Sequence, residues 1–148
     1  MTRVMLSNAE VFQGAMIGVM RLLRRKKAKR SELRNTPPTG TWERSIEGAI
    51  SEMALAKHLN VFLADHTNRE IPDVGDVDCR ATSHKNGSLI VHPYDADDRL
   101  FYLLVGMHGQ YEIKGWIKGA DAKQDKYWKD PVGGRPAYFV PQGELNDG

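Results

Sequence analysis

Cysteine is almost missing from this chain: Cys79 stands alone among 148 residues. One thiol excludes an internal disulfide and any zinc site built from several thiolates, so the fold must hold without either. Membrane-length apolar runs are missing too. The stretch Ala15-Met16-Ile17-Gly18-Val19-Met20 is far too short to cross a bilayer, and the N-terminus lacks the charged start, apolar stretch and cleavage site of a secretion signal. Neither sign of charge dominates. The 21 Lys and Arg face 19 Asp and Glu, a formal +2 that does not by itself imply a nucleic-acid partner. The five histidines are scattered without HExxH-like spacing, and no GxGxxG or Walker A loop is present, so nucleotide-cofactor chemistry has no support. These absences predict a protein of a reducing compartment, the cytoplasm, with no membrane partner.

What is present is ordinary in bulk and uneven in detail. Hydrophobic residues at 41% and charged residues at 27% suit a soluble globular protein, and the length suits one domain over residues 1–148 with a core that needs no staples. Between Arg21 and Arg30 the chain reads RLLRRKKAKR, with no acid to interrupt it. Within it Arg24, Arg25, Lys26, Lys27, Lys29 and Arg30 form a candidate phosphate-contacting patch. Such a patch would bind nucleic acid without sequence preference and with steep salt dependence; the plainer reading is a solvated helix end whose cations suit the helix dipole.

The N-terminal residues 1–34 read as this basic helix. Ser7 or Asn8 can cap it, its end falls near Arg30, and Val11, Phe12, Met16, Val19, Met20 and Leu23 form an apolar stripe at helical spacing. Asn35 to Gly40 is loop chemistry. A second helix is predicted from about Glu43 to Asn60. The remainder reads as strands. Asp76 to Ser83 and Ser88 to His92 flank an Asn86-Gly87 hairpin signal. Tyr94 to Asp98 is an acidic turn. Arg99 to Gly106 pairs with Gln110 to Ile117 through Met107-His108-Gly109, Ala120 to Trp128 is a short helix, and Pro136 to Pro141 a last strand. The expectation is an α+β domain: two N-terminal helices packed on a mainly antiparallel or mixed sheet of about five strands.

One residue breaks the apolar pattern of the second helix. At roughly 100° per residue, Ile46, Ala49, Met53 and Ala56 share one side with Leu55 and Leu59, and Glu52 falls among them; Glu47, Ser51 and His58 take the side expected to be wet. A carboxylate aimed at a core needs a partner. Some twenty residues on comes Ile71-Pro72-Asp73-Val74-Gly75-Asp76-Val77-Asp78-Cys79-Arg80. On a strand, Asp76, Asp78, Arg80 and Thr82 share one face and Val77, Cys79 and Ala81 the other. Cys79 therefore reads as inert packing. Acids from a helix and an adjoining strand can together hold a hard divalent cation, which takes oxygen ligands.

A helix glutamate, then Pro-Asp, then acid-x-basic on a strand resembles the PD-(D/E)XK nuclease superfamily, with its restriction-endonuclease-like fold. By position the resemblance implies Asp73 as the first acid, Asp78 as the second, Glu52 as the helix glutamate that completes a magnesium (or manganese) shell, and Arg80 in the catalytic lysine's place. Arginine is essentially never a proton acceptor, so Arg80 would steady the water or the scissile phosphate. Only four residues separate Asp73 from Asp78, and Asp76 can replace either as ligand. A second resemblance, over roughly residues 42–142 (GAISEMALAKHLN, DVGDVDCRAT, YEIKGWIKGADAK and AYFVP), is to small phage-encoded proteins. It names relatives rather than an activity, and it would place the protein in the host cytoplasm.

Two functions follow as expectations. The first is magnesium-dependent hydrolysis of DNA by a small PD-(D/E)XK-like nuclease. The second is a non-enzymatic phage accessory protein that binds DNA or inhibits a host defence protein, its carboxylates serving as an ion-pair network. In that reading Glu52 pairs with Arg80 or caps nearby backbone, Asp73 is a turn acid after proline, and Asp78 and Arg80 form a same-face ion pair of small energetic weight.

Overall fold

Two glycines decide how the N-terminal helices meet. In this computed structural model, which describes residues 2–28, 38–63 and 71–148 (without the side chains of 25–28 and 38–41), α1 spans Asn8–Ala28 and α2 spans Pro38–Leu59. A Cβ on Gly18 would lie 2.5 Å from the Ser45 carbonyl oxygen, and one on Gly14 would lie 3.1 Å from the Ile50 Cα. The helices thus touch backbone to backbone, and the Ser45 hydroxyl donates to the Gly18 carbonyl at 2.6 Å. This contact sets the rotation of α1. Leu22 and Arg21 follow the glycines inward, whereas Phe12 is 65% exposed and Met16, Met20 and Leu23 stand about half in solvent. The apolar stripe predicted for α1 is therefore not its buried face, because the small residues permit the closer approach.

The ends of both helices have local causes. Ser7 and Glu10 form a capping box: the Glu10 amide donates to the Ser7 hydroxyl, and the Ser7 amide donates to the Glu10 carboxylate. α2 opens at Pro38, earlier than the Glu43 expected, since proline loses nothing at a first helical turn whose N–H groups lack intrahelical partners. It closes at Asn60, which adopts the left-handed conformation (φ 56°) while the Val61 amide reaches back to the Ala56 carbonyl.

Among the described residues seven strands follow one another as β1 (Thr2–Met5), β2 (Val77–Thr82), β3 (Leu89–Val91), β4 (Leu100–Met107), β5 (Gln110–Lys118), β6 (Trp128–Lys129) and β7 (Ala137–Val140). They form two sheets rather than one of about five strands: β1-β5-β4-β2 and β3-β7-β6. The β2–β4 pair is parallel and every other pair is antiparallel. The β4–β5 hairpin forms as expected, with His108 and Gly109 both at positive φ (54° and 93°), the geometry of a tight two-residue turn. The Asn86-Gly87 hairpin does not. β3 leaves for the second sheet, where Leu89 and Val91 are fully buried, and Gln142 donates to the Lys85 and Gly87 carbonyls. Nor is Ala120 to Trp128 one helix. A short α3 (Gly119–Ala122) gives way to a 3-10 turn (Asp125–Tyr127) that turns Tyr127 into the core, and Trp128 then pairs with Tyr138.

Alternation along β4 explains the layers. Tyr102 and Leu104 join Ile50, Ala54, Leu55, Tyr111 and Ile113 in a core under α2. Phe101 and Leu103 join Leu89, Val91, Ile117 and Val140 in a second core under β3 and β7. A sheet covered on both faces needs apolar residues at every position, which is why Leu100–Met107 reads as a continuous run. Strands β1 and β2 are the edges of that sheet, and β2 has α2 on one side and the β3 layer on the other. Among the described residues no helix is long and apolar enough to cross a membrane.

Candidate functional site

Glu52 is buried, and its partner comes from α1. Arg21, the first cation of the basic run, directs Nη1 at both carboxylate oxygens, 3.0 and 2.8 Å away. Both side chains are 11% exposed. Arg80, the partner weighed from sequence, is elsewhere. The pairing follows from the glycine contact, since Arg21 is one turn beyond Gly18 and lies along the same seam. Burial pushes the Glu52 carboxyl up to about 7, with further upward pressure from Asp73 and Asp78, against the pull of Arg21. Two residues expected on the wet side of α2 are drawn in as well. Ser51 is buried and donates to the Gly48 carbonyl, and Glu47 accepts from the Tyr111 hydroxyl at 3.0 Å.

The acids of the 71–80 segment gather around the edge of β2, not at one point. Register pairs Asp78 with Phe101 and Cys79 with Tyr102, so Asp78 and Arg80 face the second core's side while Cys79 faces α2 and Glu52. Asp73 lies beside the edge and ties it down. Its amide donates to Asp78 Oδ1 and its Oδ2 accepts from the Cys79 amide, each at 3.0 Å. Burial and the neighbouring Asp78 raise the Asp73 carboxyl above the ordinary carboxylate range. Glu52 and Asp78 thus approach Asp73 from opposite faces of the strand. Among the described residues no group of three His, Cys, Asp or Glu side chains is placed to hold a metal ion. Asp76 is exposed at the turn before β2. Burial and Glu52 push the Cys79 thiol up, well away from a nucleophile's range, and it packs near the Ser51 hydroxyl at 3.7 Å.

On the Asp78 side an open cleft of about 550 Å³ brings together Asp73, Asp78, Arg80, Asp95 and Arg99. Arg99 Nη1 lies 3.3 Å from Asp78 Oδ2. Arg80 is held on several sides. Its Nε donates to the Ile90 carbonyl, its Nη2 donates to Asp95 at 3.0 Å, and its guanidinium carbon sits 4.9 Å from the centre of the Phe101 ring. Asp73 Oδ2 is 3.9 Å from Arg80 Nη1. The cleft therefore mixes oxygen donors suited to a hard cation with guanidinium groups suited to phosphate. Arg80 also borders a second hollow on the other side of β2, which Glu52 lines.

Of the residues read from sequence, Asp73, Asp78 and Arg80 share this cleft, and Glu52 lies behind the strand. Arg24 is exposed near the end of α1. The side chains of Arg25, Lys26 and Lys27, and Lys29 and Arg30 entirely, lie outside the described residues. Sequence reasoning missed Arg21, Arg99, His92 and Tyr94 as members of the site. Asp95 was read with Asp97 and Asp98 as an exposed acidic turn able to bind a cation weakly. Comparison with family models, with curated proteins and with solved structures returns no match to this chain.

Proposed function

We propose that the chain is a divalent-metal-dependent phosphodiesterase acting on DNA, with Asp73 and Asp78 as the metal-holding acids. The observation that carries this reading is an open cleft in which these two carboxylates face Arg80 and Arg99. Magnesium commonly takes one or two carboxylates together with waters and phosphate oxygens, so two acids on one wall suffice. Such an ion would supply Lewis-acid stabilisation of charge on the phosphodiester. Arg80, fixed by Ile90 and Asp95, orients a phosphate oxygen and takes no proton. Glu52, turned to Arg21, acts on the site through Asp73, whose charge it feels. This narrows the three-acid shell suggested by the nuclease resemblance to a two-acid one.

The test is cleavage of plasmid and single-stranded DNA in magnesium or manganese by the parent, Asp73→Asn and Asp78→Asn, with folding checked by circular dichroism. The parent should cut, and each variant should lose at least about a hundredfold in rate, the scale on which a removed transition-state contact is felt. The parent's Tm should rise with manganese, since a ligand of the native state stabilises it. Metal-independent cleavage, or equal rates in parent and variants, removes the assignment.

One observation favours the non-enzymatic reading. Glu52, Asp73, Asp78 and Asp95 each already accept from a guanidinium or a backbone amide. A network so satisfied stands without a cation. In that case manganese leaves Tm unchanged.

A further inference from the structure

The mouth of the cleft carries an aromatic pair that lies outside both cores. His92 and Tyr94 stack in parallel, their ring centroids 5.0 Å apart and their planes 5° from one another, while Tyr94 remains 70% exposed. The turn beneath them is held by many bonds. The Asp95 amide closes it by donating to the His92 carbonyl at 3.0 Å. Asp95 Oδ2 accepts from the His92 amide at 2.7 Å and from Arg80. Lys123 Nζ reaches across from beyond β5 to the Pro93 carbonyl, the Asp95 carbonyl and Asp97 Oδ1, at 3.0, 2.5 and 2.6 Å. Pro93, between the stacked residues, fixes its own φ. Tyr94 thus stands exposed on an ordered turn, stacked on His92 beside the guanidinium groups of the cleft.

We propose that the His92–Tyr94 stack is a platform for one unpaired base of a single-stranded nucleic acid whose backbone enters the cleft beside Arg80 and Arg99. Every base has a π-face, and a base inside a duplex has both faces covered, so a platform of this kind selects unpaired strands. Arg80 links the two halves of the site. It contacts Asp95 under the platform and borders Asp73 in the cleft, so a base on Tyr94 sets where the adjoining phosphate falls. A preordered turn also spares the ordering cost that a mobile loop would bring to binding. The inference deepens the nucleic-acid reading above and rests on it for the class of ligand, but it requires no cleavage.

The experiment is fluorescence anisotropy in EDTA with the full chain and a labelled twelve-nucleotide single strand, its duplex, and the same strand made abasic throughout. The parent should bind the base-bearing single strand more tightly than the duplex. Tyr94→Ala should weaken that binding roughly tenfold, Tyr94→Trp should retain it, and neither should alter binding of the abasic strand. Tyr94 is exposed, so loss of folding does not complicate the variants. No binding by the parent, an unchanged affinity in Tyr94→Ala, or an equal loss on the abasic strand overturns the platform. Tyr94-dependent binding without cleavage in magnesium leaves the platform standing and removes the nuclease. Cleavage with a Tyr94-independent affinity does the reverse.

Discussion

Among the described residues two ion pairs join α1 to α2, and their carboxylates end up shifted in opposite directions. Lys57–Glu10 at 2.9 Å and Arg21–Glu52 at 2.8 Å have nearly the same length. The first is wet, with side chains 46% and 31% exposed; the second is dry, at 11% each. Lys57 and the Ser7 amide hold the Glu10 carboxyl down at about 2. Burial and two neighbouring aspartates hold the Glu52 carboxyl up at about 7 despite Arg21. The length of a salt bridge therefore says little about its effect. The water removed and the like charges nearby decide it.

The comparison breaks most visibly when the dry pair loses one member. Glu52→Ala removes the carboxylate that faces the Arg21 charge in a buried seam and should cost about 3–5 kcal/mol, whereas Arg21→Met with Glu52→Leu should stay within about 1 kcal/mol of the parent. Urea unfolding of the three proteins measures both. A loss under about 1 kcal/mol in the single variant would mean that the buried pair behaves like the wet one. The contrast would then be gone.

Acidity sharpens the same contrast. Glu52 has a folded value above its ordinary 4.5, so between 4.5 and 7 the folded chain holds a proton that the unfolded chain has released. Its contribution is complete below 4.5 and is lost as pH rises through 7. Glu10 runs the other way: its contribution is present above 4.5 and is lost as pH falls towards 2. Glu52→Gln should flatten the fall in stability from pH 5 to 8 by on the order of 1–3 kcal/mol, read from Tm against pH. Asp73, also raised, adds a slope of the same sign as pH climbs above the ordinary aspartate range. An identical slope in parent and variant would show that Glu52 titrates as an exposed group.

The sequence announced these two pairs unequally. Beside the wet pair only the cap was read, as Ser7 or Asn8, because capping is local and needs no knowledge of packing; the Lys57–Glu10 contact was not. That Glu52 points inward also followed from helical period. Its partner did not. Arg21 sat inside a basic run that looked solvated, and the signal that would have turned it inward was the Gly14-x-x-x-Gly18 spacing on α1, which lets backbones approach and so buries the next turn. The same oversight left Phe12, Met16 and Met20 in an apolar stripe that stands largely in solvent. At the site, the alternation of β2 correctly put Asp78 and Arg80 on one face. The route of β3 into a second sheet depends on pairing with β7, almost fifty residues later, and no local pattern encodes that choice. Arg99, Asp95 and the stacked rings of the cleft come together only through that pairing and the parallel β2–β4 register.

The smallest effect tests the comparison from its wet side. Lys57 Nζ donates to Glu10 and also to the Met5 carbonyl at 3.0 Å, so it joins the end of β1 to both helices. Lys57→Ala removes these contacts, yet an exposed pair stabilises by about 0.2–1 kcal/mol, and water replaces the lysine at both acceptors. The Glu10 carboxyl should move up from about 2 without reaching its ordinary value, because the Ser7 amide still donates to it. Titration of the Glu10 side chain by NMR separates the two donors, and the shift should shrink in high salt as the lysine's charge is screened. If Lys57→Ala costs as much as Glu52→Ala, solvent exposure is not what distinguishes the pairs, and the long cation's bond to β1 carries the stability instead.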